Sequence, residues 1–112
     1  MLIIAVSYDF ESLNRRIAVL QESGHAVIPA SSLESGMNAI STGAYHALII
    51  GATVPPADRI KIAKESRGLR SQAAIISVEW PGSDRLELAD VSVPAGQEEV
   101  LLEAVRRVQY GK

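Results

Sequence analysis

Few side chains in this sequence combine a reactive type with a position that could use it. Asp9 closes the triplet Ser7-Tyr8-Asp9 after the first apolar run, where its carboxylate could hold a hard cation or accept from the open amides of a helix start. A competing reading is that an aspartate such as Asp9 or Asp58 accepts a phosphoryl group. Ser77 ends another apolar run and could hydrogen-bond a ligand or satisfy backbone. His25 and His46 stand at strand entrances with no partner acid in a motif, which fits structural histidines. The 112 residues include no cysteine, so there is no thiolate nucleophile, disulfide or thiolate-bound metal. No motif calls for a cofactor.

The elements that position these residues are read from hydrophobic pattern. His46 to Pro56 (HALIIGATVPP) holds a β-branched apolar run, Ala47 to Ile50, that breaks at Gly51 and reaches a proline pair, the signature of a strand buried on both faces. It is taken as the central strand, and an open α/β sheet places its site at that strand's carboxyl end. The residues there, Gly51, Ala52, Thr53, Val54, Pro55 and Pro56, include no acid, base or metal ligand. Leu2 to Val6 gives a second buried strand. Leu13, Ile17 and Leu20, with Phe10 behind them, then recur at helical spacing over about 10 to 23, closed by Gly24.

Ala26 to Ile28 is a short strand, and Ser31 with Glu34 reads as a capping box for a helix reaching Gly43. Asp58 is placed to cap a helix with Ile60 or Ile62, Ala63 and Leu69 on its core face, limited by Gly68. Ala73 to Val78 and Ala89 to Val93 supply two more strands, and Gln97 to Gln109 a last helix with Val100, Leu101, Ala104, Val105 and Val108 on one face. Continuous apolar strands alternating with helices predict an α/β three-layer flavodoxin-like fold, a parallel five-stranded sheet of order 2-1-3-4-5. With 47% hydrophobic and 21% charged residues, the chain is expected to form one domain over 1–112, without an output domain. A net charge of −2 gives no footprint for nucleic acid or an anionic membrane. With no spanning run and no leader pattern, a cytoplasmic location is expected.

Over nearly its whole length the chain resembles the receiver domain of bacterial response regulators. The resemblance rests on the apolar first strand, on Gly24-His25-Ala26-Val27 before and into the second, on Ala30 ahead of a capped helix, on Pro55 after the third, and on Pro94 ahead of Glu98-Glu99. It implies a phosphoacceptor aspartate at the end of the third strand, but the family spacing from Pro55 lands on Gly51. Of the two Mg²⁺-holding acids after the first strand, Tyr8 replaces one and Asp9 stands as the other, either as a relic ligand or only as a helix cap. The switching Ser or Thr falls on Val78 or, with a slip of one residue, Ser77, and the lysine before the last proline falls on Val93.

Tyr8, Asp9, Gly51, Ser77, Val78 and Val93 thus form a degenerate phosphorylation pocket with no catalytic residue and no metal site. An aspartate at position 51 is expected to be a buried, unpaired acid. The resemblance implies a pseudo-receiver, not an enzyme, that binds a protein partner or itself without phosphorylation; the alternatives are an atypical phosphoacceptor or a module for a small anionic ligand. The connection from Val78 to Pro94 is about two helical turns short of a full receiver, so the fourth helix is expected to be shortened or missing. Its loss is expected to uncover apolar surface bordered by Trp80, Leu86, Leu88 and Leu102. Arg15-Arg16 and Arg106-Arg107 are read as solvated helix faces.

Overall fold

The computed structural model describes residues 1–70 and 72–110. In chain order the elements are β1 (Leu2–Val6), α1 (Phe10–Glu22), β2 (Ala26–Ala30), α2 (Leu33–Thr42), β3 (Ala47–Ile50), α3 (Pro56–Leu69), β4 (Ala74–Glu79), β5 (Val91–Pro94) and α4 (Glu98–Tyr110). The five strands form one parallel sheet of order β2-β1-β3-β4-β5, the flavodoxin-like arrangement expected from the alternation. β3 is central and buried throughout, because Ala47, Leu48, Ile49 and Ile50 meet helices on both faces.

The period of two along each strand sorts the core into two halves. Ile4, Leu48, Ile50 and Ile75 pack with Ala39, Ile40, Ile62 and Ala63 of α2 and α3. Ile3, Ile49, Ile76, Val78 and Val93 pack with Leu20 of α1 and Leu101, Ala104 and Val105 of α4. None of the described helices is long and apolar enough to cross a membrane.

Several local expectations shift. The cap of α2 is Ser32, one residue later than Ser31: its hydroxyl accepts from Ser35 N at 3.1 Å, while Ser35 Oγ accepts from Ser32 N at 3.0 Å. α3 starts on Pro56 behind Pro55 with no side-chain cap, because proline at the first helical position has no amide to satisfy and its φ is already helical. Asp58 therefore sits in the first turn, not at the cap. α3 runs through Gly68 to Leu69, and Ile60 and Leu69 face solvent, as do Phe10 and Val100. β5 begins at Val91 because Asp90 is drawn into the preceding turn, where its carboxylate accepts from Ile75 N at 2.8 Å and from Arg67 Nη2 at 3.1 Å.

Between β4 and β5 there is no helix, as the short connection required. Part of the apolar surface expected there is covered. The irregular segment turns back so that Leu86, 8% exposed, enters the α2–α3 half of the core, with Leu88 and Ala89 partly buried beside it. Arg67 Nη2 holds the segment by donating to Leu88 O at 2.7 Å. Leu86 thus does with one side chain part of what a helix would do. Leu86→Ala is expected to cost about 2–5 kcal/mol, read as a fall in the urea midpoint, whereas half-buried Leu102→Ala should cost clearly less.

Candidate functional site

At the carboxyl edge of the sheet, the end of β3 is flanked by two arginines, Arg59 and Arg16. Gly51 follows β3 with its amide donating to Val6 O at 2.7 Å. A Cβ at this position would lie 2.9 Å from Val6 O, 3.1 Å from Arg16 Nη1 and 3.2 Å from Ser7 Cβ. The first of these is backbone and cannot swing away, so glycine is a packing requirement here.

Arg59 projects from α3 across the end of the sheet and is 9% exposed. Its Nη1 donates to Gly51 O at 2.6 Å, and its Nη2 donates to Ser77 Oγ and, at 3.1 Å, to Val78 O. Ser77, fully buried, passes the interaction on by donating to Glu79 Oε2 at 2.9 Å. The same carboxylate oxygen accepts from Leu86 N at 3.1 Å and Ser92 Oγ at 3.3 Å. A chain of charge-assisted bonds therefore runs Arg59–Ser77–Glu79 and ties the ends of β3, β4 and β5 to the replacement segment. Burial lowers the pKa of Arg59 against the field of Glu79, which favours the charged form. Burial pushes the Glu79 carboxyl up, but the Leu86, Ser77 and Ser92 bonds and the charge of Arg59 together bring it below its ordinary value.

A second set of bonds closes the mouth. Thr53 Oγ1 accepts from Tyr8 N at 2.9 Å and lies 3.2 Å from Ser7 Oγ. Tyr8 OH donates to Asp58 Oδ2 at 2.9 Å; burial first, then this bond and the Asp58 charge, push the phenol up to about 12. Asp58, expected as a cap, instead anchors the β1–α1 loop to α3. Asp9 caps α1 by accepting from Ser12 N at 2.9 Å, and the Ser12 hydroxyl first and this amide second hold its carboxyl below the usual range. His46 Nδ1 accepts from Leu2 N at 3.1 Å and His25 Nδ1 lies 3.2 Å from Met1 N, both at the amino edge.

The pocket residues read from the sequence are thus partly brought together. Tyr8, Asp9, Gly51 and Ser77 all lie at the carboxyl edge. Val78 and Val93, opposite each other in the β4–β5 register, turn their side chains into the α1–α4 half of the core. The four surface residues do not form one patch. Leu86 and Leu88 pack on the α2–α3 side and Leu102 on the α1–α4 side, near Ser23, His25 and Arg106; Trp80 stays 56% exposed beside Ala52 and Thr53.

The arginines were missed. Arg16, read as solvated, is 5% exposed, because Leu13, Arg16 and Leu20 form the stripe that α1 turns inward. Arg59 likewise stands in the spacing Arg59, Ile62, Ala63, Ser66, the inward stripe of α3. A charged residue in step with an apolar stripe was the available signal.

No protein-family model matches the sequence, and no curated protein matches it. Solved structures do. A receiver domain protein from Clostridium thermocellum superposes with a TM-score of 0.85 at 18% identity, over 96% of this chain and 92% of that one. The chain has the receiver fold. The response regulator TrrA of Thermotoga maritima, solved in complex with Mg(2+)-BeF, gives 0.84 at 23% identity over 96% and 97%. A CheY-like receiver domain protein from Methanospirillum hungatei gives 0.83 at 19% over 96% and 93%. At these identities the likeness is one of receiver architecture. At the positions that the resemblance assigns to acids the chain has Tyr8, Asp9 and Gly51, and the Arg16 guanidinium lies beside the last of these.

An acid introduced at position 51 would therefore not be unpaired, since Arg16 lies within reach. Both Gly51→Asp and Gly51→Asn should lose on the order of 1–3 kcal/mol to the clash with Val6 O. The aspartate should recover about 1–3 kcal/mol of that through a charged bond that asparagine cannot match. Pairing with a guanidinium lowers the aspartate pKa, so the advantage of Asp over Asn is present at neutral pH and lost as pH falls through the folded-state value. Urea denaturation of both variants at pH 7 and pH 3 checks this; equal stabilities at pH 7 would contradict it.

Proposed function

We propose that this chain is a cytoplasmic pseudo-receiver, a bacterial two-component signalling module that binds a protein partner without being phosphorylated. The observation that supports this best is Arg59. The resemblance implies a phosphoryl group that links the ends of the third, fourth and fifth strands when a receiver switches. Here a buried guanidinium already bonds Gly51 O, Ser77 Oγ and Val78 O, and through Ser77 and Glu79 reaches Ser92 of β5. The arrangement is held by permanent charges and needs no transferred group. Phosphoryl transfer depends almost wholly on metal and positioned charge around an acceptor. Gly51 supplies no acceptor, and Asp9 is engaged with Ser12 N.

The partner surface is centred on Trp80. Trp80 and Ile60 are exposed and border a concavity of about 270 Å³ that also involves Val54, Pro56 and Leu86. An exposed tryptophan beside an apolar hollow has the make-up of an interface anchor. Leu86 lines this surface, while Leu88, packed against the core, and Leu102 lie outside its lining.

Incubation with acetyl phosphate and Mg²⁺ followed by intact mass measurement is expected to leave the protein unmodified. A stoichiometric adduct, whether on Asp9 or Asp58, would sink the phosphorylation-independent reading. Affinity capture from lysate of the source cell, with partners quantified by mass spectrometry, is expected to lose its specific partner with Trp80→Ala and keep it with Leu102→Ser. The reverse pattern would move the surface to the amino edge.

A further inference from the structure

Arg16 is not accounted for by the network around Arg59. It is 5% exposed, and its Nε and Nη1 are buried without a hydrogen-bond partner among the described residues. A guanidinium keeps its proton in proteins, so this is a desolvated cation with open donors, an arrangement that costs free energy unless an acceptor is supplied. The acid that acts on it is Glu98, whose field favours the charged form but which makes no ion pair with it among the described residues.

Arg16 lines a cavity of about 180 Å³ between α1 and the start of α4, together with Ser12, Arg15, Thr53, Gly96 and Glu98. At roughly 30 Å³ per water, that space admits a small polyatomic ion with some of its hydration. α4 begins at Glu98, so the amides of its first turn have no intrahelical acceptors and the positive end of its dipole lies at this cavity. Two arginines and a helix start stand against one carboxylate, leaving the cavity electropositive. The Thr53 hydroxyl is already an acceptor for Tyr8 N and is not required.

We infer that this cavity is a binding site for a tetrahedral oxyanion of phosphate type, held without covalent attachment by the Arg16 guanidinium that lines it and by the first turn of α4. A guanidinium, with several N–H donors and a fixed charge, favours an anion with several equivalent oxygens. Arg15 adds charge at the rim, where it also lies near Asp9. Glu98 opposes the ligand and sets a limit on its affinity. The inference goes beyond the proposed signalling role, because it requires neither a phosphoacceptor nor a protein partner.

The wall of the cavity carries its own reporter, since Trp80 lines it and is the sole tryptophan. The full chain would be titrated with inorganic phosphate at constant ionic strength set by chloride, following Trp80 fluorescence and the amide resonances of Ser12, Gly96 and Glu98. A saturable response at those amides is expected. Arg16→Gln should weaken it by about tenfold or more, the loss of a charged hydrogen-bond donor. Glu98→Gln should tighten it by roughly threefold, by removing a like charge at the rim. Should Arg16→Gln not fold, Glu98→Gln carries the test alone. A response that is linear in phosphate, matched by acetate, unchanged by Arg16→Gln, or not tightened by Glu98→Gln would overturn the proposal. A second titration with glycerol 3-phosphate separates the sources: tighter binding assigns the site to a phosphorylated small molecule, and weaker binding to the free ion.

Discussion

A buried guanidinium has to find acceptors for its N–H groups, and at the end of β3 Arg59 finds them on two strands at once, in Gly51 O, Ser77 Oγ and Val78 O. Because the acceptors are mostly main chain, the interaction fixes where the strand ends lie, not merely which side chains meet. Glu79, reached through Ser77, then fixes the amide of Leu86, and Leu86 plugs the core where a helix is missing. The loss of that helix and the position of Arg59 are thus two parts of one arrangement. Removing a single side-chain partner, Ser77 or Glu79, would leave the buried charge less fully compensated, which is the costly way to break such a network.

The same constraint explains the character of the site. Carboxylates gathered at this edge would demand a cation, whereas here two arginines stand among acids that are already engaged, Glu79 with Ser77 and Leu86, Asp58 with Tyr8, and Asp9 with Ser12. Gly51 is the pivot between the two regimes: with no side chain, it lets Arg16 approach β3 from one side while its carbonyl receives Arg59 from the other. The hydroxyls of Ser7 and Thr53 and the Tyr8–Asp58 bond close the loops over this pair.

The sheet was legible in the sequence because doubly buried strands have no polar face to confuse the pattern; the runs at Leu2–Val6 and Ala47–Ile50 could be placed to the residue. Helix starts were less legible. Ser31 and Ser32 offer the same hydroxyl, and only the backbone at Ser32, with φ −151° and ψ 168°, decides which one caps. The site was legible as a loss at Gly51 but not as a replacement, because an arginine on a helix gives one letter whether it faces water or core. Leu86 was misplaced for a related reason: a leucine in a turn-rich segment carries no period to say which way it points.

Tyr45, just before β3, gives the opposite end of the strand a character of its own. Its ring is 1% exposed, its hydroxyl lies 2.6 Å from Ser66 Oγ, and its carbonyl accepts from Arg70 Nε at 3.1 Å. α3 is therefore fastened to the central strand at both ends, by Arg59 at the carboxyl edge and by Ser66 and Arg70 at the amino edge. Elements joined in this way open as one cooperative unit. For the amides of α3 and β3, the slowest exchange with solvent would follow the unfolding of the whole domain, while the stretch from Pro81 to Arg85, exposed throughout, would exchange through local fraying.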